Sequence, residues 1–251
     1  MKLALECPDV LLKEIQSLTD FDFILTHLVL KDGVYAKYYR ESSSFKILDN
    51  SVNELGEPCS LEEMVQALDI LGGADLIVPP DYLGDFEATR NALDQSLSLW
   101  EHDKLLPVVQ GGTTEEVLDY ACYLDVKMGF NFVAVPYDLT CKKTDRRDLM
   151  AVSRDCIVRN LTKSGLEVHL LGFTTVEELI GYQGNPKVKS VDTGVPVVYG
   201  MNLKHLDEPW DFKKDKPTMD QMEESPPGFL NDKLSAIYYN IAYLRKILGS
   251  V

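Results

Sequence analysis

Short apolar runs recur along the chain, and a stretch with helical periodicity separates most runs from the next. The runs are rich in Val, Ile, Leu and Phe, a composition typical of buried parallel strands. Strands and helices that alternate in this way predict repeated βα units. The predicted strands span residues 23–29, 45–48, 75–78, 105–109, 132–135, 167–171 and 188–191, and residues 195–199 are the candidate for an eighth.

Capping signals mark the ends of the intervening helices. Ser60 precedes Glu63 by three residues, which is the pattern of a capping box, and Gly72-Gly73 follows where that helix should end. Similar signals predict helices over residues 114–128, 145–163 and 175–182, and helical spacing of apolar residues predicts an amphipathic helix over 230–248. The proline-rich segment 203–229 is predicted to be a long loop or a short insertion.

The number of predicted strands indicates a (β/α)8 barrel of the TIM type. A doubly wound open sheet shows the same alternation, so periodicity alone leaves that alternative open, and the strand count favours the barrel. The chain has 251 residues, of which 45% are hydrophobic, and it can therefore bury the core of a single barrel domain over residues 1–251.

The cysteines and the N-terminal residues bear on metals and on the compartment. The five cysteines are scattered and form no CxxC pair, so neither a disulfide framework nor a zinc site is predicted. Glu6 ends the apolar stretch of residues 1–5 long before a signal peptide or a membrane span could form. We therefore expect a cytoplasmic protein with no membrane association and no metal or other cofactor. The sequence also lacks the motifs of dinucleotide, phosphate-loop, metalloprotease and serine-hydrolase sites.

Charge is distributed unevenly along the chain. The net charge is −15; residues 1–140 contain 9 Lys and Arg against 25 Asp and Glu, whereas residues 141–251 contain 16 against 15. An acidic chain does not attract a polyanion over long distances, so contact with a nucleic acid needs a local basic patch. Lys142, Lys143, Arg146 and Arg147 form the candidate patch that follows the fifth strand. A solvated loop is the alternative interpretation of these four residues.

Polar residues and glycines follow the predicted strands at their carboxyl ends, where the active sites of α/β barrels lie. They include Asp49, Asn50, Asp81, Gln110, Gly111, Gly172 and Asp192. Each Asp alone could be a turn or cap residue. Two carboxylates at one barrel mouth can perform glycosyl transfer, because one attacks or stabilises an anomeric carbon while the other moves protons. Gln110 offers a donor and an acceptor to a heterocycle, and Gly111 lets backbone amides approach a flat ligand.

Four short motifs resemble those of the tRNA-guanine transglycosylase superfamily, in the same order and at strand ends. They are Ile47-Leu48-Asp49-Asn50-Ser51, Val108-Val109-Gln110-Gly111-Gly112, His169-Leu170-Leu171-Gly172 and Ser190-Val191-Asp192-Thr193. The short chain and the Asp49-Asn50 pair look closest to the 7-deazaguanine DNA transglycosylases of bacteriophages and bacteria. The sequence departs from the tRNA enzymes in two ways: it has no CxCxxC zinc subdomain after the seventh strand, and Asn50-Ser51 replaces their Ser-Gly-Gly turn.

The resemblance implies a mechanism and a substrate. Asp192 would be the nucleophile that attacks C1′ of a guanosine and forms a glycosyl-aspartate, and Asp49 would be the general acid/base for the departing guanine and the incoming 7-deazaguanine. The residues expected to contact the base are Asn50, Asp81, Gln110 and Gly111, with Leu171 and Gly172 as the pocket wall. The implied polymer is DNA, whose target base must leave the stack.

Two other functions remain open on the sequence. A base exchanger or glycosidase that acts on free nucleosides or RNA suits the acidic surface better. A catalytically silent barrel that serves as a partner subunit is the alternative outside enzymes, and in that case Asp49 and Asp192 are structural. The sequence leaves open whether the protein forms a homodimer and which 7-deazaguanine it would use.

Overall fold

The computed structural model describes residues 1–137, 147–173, 175–208 and 230–249, and for residues 147–153 and 230 it describes the backbone alone. These residues form one α/β domain with parallel sheets. The strands are β1 (Lys2–Leu5), β2 (Asp22–Leu25), β3 (Lys46–Asp49), β4 (Leu76–Ile77), β5 (Phe132–Pro136), β6 (Glu167–Leu171) and β7 (Val188–Thr193). The α-helices are α1 (Leu12–Ile15), α2 (Thr26–Lys31), α3 (Gly33–Glu41), α4 (Val52–Leu55), α5 (Leu61–Leu71), α6 (Phe86–Ser96), α7 (Thr114–Val126), α8 (Arg147–Ser164), α9 (Val176–Ile180), α10 (Val195–Met201) and α11 (Leu230–Leu248).

The strands form two parallel sheets. The larger sheet has the order β1-β7-β6-β5, and the smaller sheet has the order β2-β3-β4. Two isolated parallel bridges, Ile77 with Leu105 and Val108 with Ala134, connect the segment 105–108 to β4 on one side and to β5 on the other. Just before β2, the backbone N–H of Asp20 donates to Leu3 O at 2.8 Å and so links the chain to β1.

Successive strand residues point to opposite faces, and the two faces belong to different apolar clusters. Leu3 and Leu5 of β1 and Ile24 of β2 lie in the large core to which the helices contribute. Ala4 of β1 and Phe23 of β2 lie instead in a smaller cluster. That cluster also contains Ile47, Val78, Leu106, Val108 and Ala134. Side chains from both sheets and from the segment between them therefore meet on one face.

The predicted helix ends are confirmed where capping residues set them. Ser60 and Glu63 form the reciprocal capping box of α5, and Gly72 ends this helix with a left-handed φ of 74°. Helix α11 spans residues 230–248 as predicted. The predicted helices 114–128, 145–163 and 175–182 differ from α7, α8 and α9 by one or two residues at their ends, and residues 145 and 146 lie outside the described residues.

One predicted strand is wrong, and one strand was not predicted. The predicted eighth strand, 195–199, is helix α10. Pro196 favours a helix start, because N–H groups in the first turn have no partner within the helix and the fixed φ of proline is helical. The strand beside β7 is instead β1, which pairs with it from Lys2 opposite Ser190 to Leu5 opposite Thr193.

Two further predicted strands are only partly formed. Residues 26–29 of the first predicted strand belong to α2, and the predicted strand 105–109 forms only the two isolated bridges. In the described part of the predicted insertion 203–229, residues 203–208 form turns after α10, and residues 209–229 lie outside the description.

Helix α10 approaches α11 closely at Gly200. A Cβ on Gly200 would lie 2.4 Å from Cγ1 and 2.5 Å from the backbone N of Ile237, so only glycine fits there. This contact fixes the helix that follows β7, and with it one side of the site described below. Among the described residues, no helix is long and apolar enough to cross a membrane.

Candidate functional site

A cavity of about 610 Å³ opens at the carboxyl ends of the strands, a size suited to a nucleoside or a comparable small ligand. Five carboxyl groups line it: Glu6, Asp49, Glu54, Asp81 and Asp192. Apolar side chains complete much of the lining, among them Phe23, Leu25, Leu28, Val195 and Val198. The structure therefore brings together three predicted carboxylates, and it adds two that the sequence did not single out.

Asp49 ends β3 and is fixed by a turn of its own backbone. Its Oδ2 accepts the backbone N–H of Ser51 at 2.6 Å, and Ser51 adopts a left-handed φ of 65° to make this bond. The hydroxyl of Thr26 donates to Asp49 O at 2.6 Å. Burial raises the pKa of the Asp49 carboxyl well above its usual value and Glu54 raises it further, while the Ser51 N–H opposes both effects. Asp49 thus has the environment of a group that exchanges a proton.

Asp192 lies near the end of β7 and is only 4% exposed. Its Oδ1 lies 3.0 Å from His169 Nε2 and 3.4 Å from the backbone N of Gly172, which donates to it. The other imidazole nitrogen of His169 lies 2.8 Å from Ser190 Oγ. Because a carboxylate accepts, Nε2 carries the hydrogen of this contact, and in the neutral imidazole Nδ1 then accepts from the Ser190 hydroxyl. His169 is therefore a core histidine, as expected from its place in a strand, and it also orients Asp192.

Asp81 is held by the two amide side chains that were expected to contact a ligand. Asn50 Nδ2 donates to Asp81 Oδ1 at 2.7 Å, and Gln110 Nε2 donates to Asp81 Oδ2 at 2.6 Å. Their carbonyl oxygens are used as well, since Val52 N–H donates to Asn50 and Gly84 N–H donates to Gln110. Asn50 and Gln110 therefore orient Asp81 in this structure, and Asp81 lines the cavity.

The two predicted glycines have different surroundings. A Cβ on Gly111 would lie 2.9 Å from the backbone N of Val117, so Gly111 permits the close approach of α7. Gly172 lines the cavity with a left-handed φ of 63°, and a Cβ there would lie 3.2 Å from the ring of Tyr137. Leu171, at the end of β6, lines the cavity beside Gly172 as expected.

Arg154, on α8, fixes Gly172 from behind. The guanidinium is fully buried, and it donates from Nη1 to Gly172 O at 2.9 Å and from Nη2 to Val135 O at 2.7 Å. Nη1 also lies 3.3 Å from Glu178 Oε1 on α9. Since the N–H of Gly172 donates to Asp192, Arg154 supports the loop that orients this carboxylate.

Glu6 and Glu54 were missed by sequence reasoning. Glu6 directly follows β1, and its carboxyl group lies within hydrogen-bonding reach of Asp192 in the cavity. Burial raises the pKa of Glu6 well above its usual value, and the neighbouring charges of Asp192, Glu54 and Asp49 raise it further. The sequence did contain a signal for Glu6, because this carboxylate follows an apolar run, as Asp49 follows the apolar run of β3. Glu54 lies in the short helix α4, where no pattern distinguished it from a solvated residue.

Neither a scan against protein-family models nor a search of curated proteins finds a match for this chain. The expected family is therefore a hypothesis that rests on the motifs and on the site geometry. No group of three or more His, Cys, Asp or Glu within the described ranges is arranged to hold a metal ion.

The predicted basic patch is mostly outside the described residues, which exclude Lys142, Lys143 and Arg146. Arg147 begins α8, and its side chain is not described. Among the described residues, the basic side chains that line the cavity are Lys31 and His27, both on α2. The site thus combines an oriented carboxylate, a carboxyl group of raised pKa and an apolar wall, a set that can perform nucleophilic displacement with proton transfer.

Proposed function

We propose that the protein is a base-exchanging transglycosylase that replaces guanine in DNA by a 7-deazaguanine derivative. Asp192 attacks C1′ of the target nucleotide, guanine departs, and the incoming base attacks the covalent glycosyl-aspartate to restore Asp192. Asp49 acts as the general acid/base. The observation that carries the proposal is that Asp49 and Asp192, which belong to different sheets, line one cavity.

The proposal includes a closed (β/α)8 barrel. The bridges on both sides of the segment 105–108 support an eighth strand between β4 and β5. The bond from Asp20 N–H to Leu3 O supports closure between β1 and β2. The small cluster of Ala4, Phe23, Ile47, Val78, Leu106, Val108 and Ala134 matches the interior of such a barrel, which side chains fill. In this fold the cavity occupies the end of the barrel where catalytic sites lie.

Asp192 has the support that a nucleophile needs. His169 Nε2 and the N–H of Gly172 hold Oδ1 in place, so the carboxylate loses little freedom when it attacks. The imidazole is itself fixed by Ser190 and by its stacking on Phe23, with ring centroids 5.7 Å apart. A fixed carboxylate in a largely apolar cavity can approach an anomeric carbon along one direction.

Asp81 is the proposed base-reading group. Asn50 and Gln110 each donate to one of its oxygens and so fix the plane of the carboxylate. A carboxylate fixed in this way can accept from two N–H groups on the edge of a guanine or a 7-deazaguanine. Asn50 and Gln110 would then act on the base through Asp81, and Leu171 and Gly172 would form the wall beside it.

A DNA substrate must present a flipped nucleotide, because the cavity lies at the strand ends and C1′ is shielded within a duplex. Lys31 at the cavity and the patch of Lys142, Lys143, Arg146 and Arg147 are the proposed contacts to the phosphate backbone. The second candidate is a base exchanger that acts on free nucleosides or RNA. The five carboxyl groups of the cavity favour a free nucleoside, since they repel phosphates close to the site and a nucleoside has none.

Exchange of labelled guanine tests the proposal. The purified protein is incubated with radiolabelled guanine and with guanine-containing DNA, tRNA or free guanosine. We expect label to enter DNA with the wild type and not with Asp192→Ala or the isosteric Asp192→Asn, because neither variant can form the glycosyl-aspartate. Asp119→Asn, an exposed substitution on α7, is the matched control and should retain activity.

The result separates the candidate functions. Label that enters guanosine or tRNA but not DNA supports the second candidate. Salt distinguishes these cases independently, because binding of DNA weakens steeply as salt rises, whereas binding of a nucleoside does not. No incorporation into any substrate, together with a stable protein partner, would support the silent-subunit alternative.

A further inference from the structure

The backbone fixes Glu6 beside Asp192. Glu6 N–H donates to Thr193 O at 3.1 Å, which extends the ladder between β1 and β7 beyond Leu5. A Cβ on Gly194 would lie 3.7 Å from Cβ of Glu6, so the chain after β7 also runs close to it. The carboxyl of Glu6 enters the same cavity as Asp192 and lies within hydrogen-bonding reach of it.

A hydrogen bond between two carboxyl groups requires a proton on one of them, because an ionised carboxylate only accepts. Asp192 Oδ1 already faces two donors, His169 Nε2 and the N–H of Gly172. Burial and the charge of Asp192 raise the pKa of Glu6 well above its usual value. The proton therefore resides on Glu6, and Asp192 accepts it.

We propose that Glu6 is a second acid–base group of the exchange reaction. Glu6 protonates the departing base while Asp192 becomes esterified, and Glu6 later takes a proton from the incoming base. This inference rests on the proposed function. Esterification removes the negative charge that Glu6 faces, and Glu6 becomes a stronger acid at the step when the leaving nitrogen requires a proton. In this step Glu6 carries the proton of the base, and Asp49 is the alternative donor that the comparison of leaving groups below distinguishes from it.

The step balances in both directions. In the first half, an Asp192 oxygen bonds to C1′, the C1′–N9 bond breaks with its electron pair passing to the base, and the proton of Glu6 moves to that base. In the second half, the incoming base gives a proton to Glu6, its nitrogen attacks C1′, and the bond to Asp192 breaks. One proton leaves Glu6 and one returns, as the exchange of one guanine for another requires.

Several charged groups face Glu6 and bear on its titration. Asp192 on β7, Asp49 on β3 and Glu54 on α4 each raise the pKa of Glu6. Lys31 and His27 on α2 line the same cavity, and His169 on β6 contacts Asp192. Substituting Asp192 alone removes the largest of the charge effects while leaving the other groups in place.

A change of leaving group tests the acid role. Guanine needs a proton to depart, whereas 7-methylguanine leaves a cationic nucleotide as a neutral base and needs none. We expect Glu6→Gln, which keeps a hydrogen-bond donor but cannot ionise, to slow release of guanine from DNA by about 10²–10⁴-fold. The same variant should release 7-methylguanine at close to the wild-type rate. Glu115→Gln, an exposed substitution on α7, is the matched control and should change neither rate.

Titration of Glu6 by carboxyl ¹³C NMR gives a readout independent of turnover. The signal is assigned by its loss in Glu6→Gln, and the pKa of Glu6 should fall in Asp192→Asn because the neighbouring charge is gone. An unchanged pKa in that variant overturns the shared proton.

The kinetic outcomes separate two kinds of failure. An active wild type whose Glu6→Gln variant slows both leaving groups equally, or neither, overturns the acid role and leaves the proposed function intact. The same holds if only Asp49→Asn discriminates between the leaving groups. A wild type that exchanges no base in any substrate refutes the proposed function, and with it the role of Glu6.

Discussion

Replacement of Arg154 tests how the loop at Gly172, which orients Asp192, is held in place. Neither Arg154 nor Glu178 is exposed, and Arg154 also donates to the carbonyls of Gly172 and Val135. Arg154→Met removes the cation from a buried carboxylate and the donors from two carbonyls. Breaking a buried ion pair on one side typically costs about 3–5 kcal/mol. That is a large fraction of the roughly 5–15 kcal/mol by which domains are stable.

Urea unfolding monitored by circular dichroism measures this cost. Arg159 on the same helix is the matched control, since its pair with Asp155 at 2.7 Å is exposed and such pairs contribute little. We expect Arg159→Met to leave the unfolding midpoint nearly unchanged. Arg154→Met combined with Glu178→Leu should recover part of the loss, because an apolar pair avoids the buried charge. Equal midpoints for Arg154→Met and Arg159→Met would refute the claim that the buried contacts of Arg154 support the loop at Gly172.

Two further predictions concern packing and pH. Gly200→Ala should lower the free energy of unfolding by about 1–3 kcal/mol, since the added Cβ would overlap Ile237. Gly33→Ala is the control and should not destabilise the protein, because a Cβ on Gly33 has open space around it. The midpoints of urea unfolding compare the two variants. Burial raises the pKa of Asp49 above its usual value of 3.8, so its contribution to stability is fully present below that pH and is lost as the pH rises through the raised pKa. Asp49→Asn should therefore be more stable than the wild type at neutral pH, and identical pH profiles of melting temperature would contradict this.

The sequence predicted the fold where local signals and burial agree. Ser60, Glu63 and Gly72 set the ends of α5 through backbone bonds that need no tertiary partner, so the pattern alone was sufficient. The strand assignments failed where packing or pairing with a distant segment determines the secondary structure. Residues 195–199 are as apolar as a buried strand, yet they form a helix that packs on α11 through Gly200. Conversely, the apolar stretch of residues 1–5 was not assigned as a strand, and its pairing with β7 makes it one.

The same distinction applies to the site. Asp49 and Asp192 follow from the rule that parallel strands present their carboxyl ends together, which depends only on topology. The rule does not say whether a polar side chain faces a ligand or a neighbour, and so the bonds from Asn50 and Gln110 to Asp81 were not predicted. Glu6 was missed because its strand was missed, and not because its chemistry differs.

The carboxyl groups of the cavity are a reason to expect a function there. Burial and mutual repulsion make the ionised forms of these carboxyl groups unfavourable, and the pKa values of Glu6 and Asp49 are raised for this reason. A chain selected for stability alone would replace such groups by amides or apolar residues, which fit the same space without charge. His169, Ser190, Ser51 and Arg154 instead hold the carboxylates and their surroundings in fixed positions. Costly groups that the fold positions this closely are typical of functional sites.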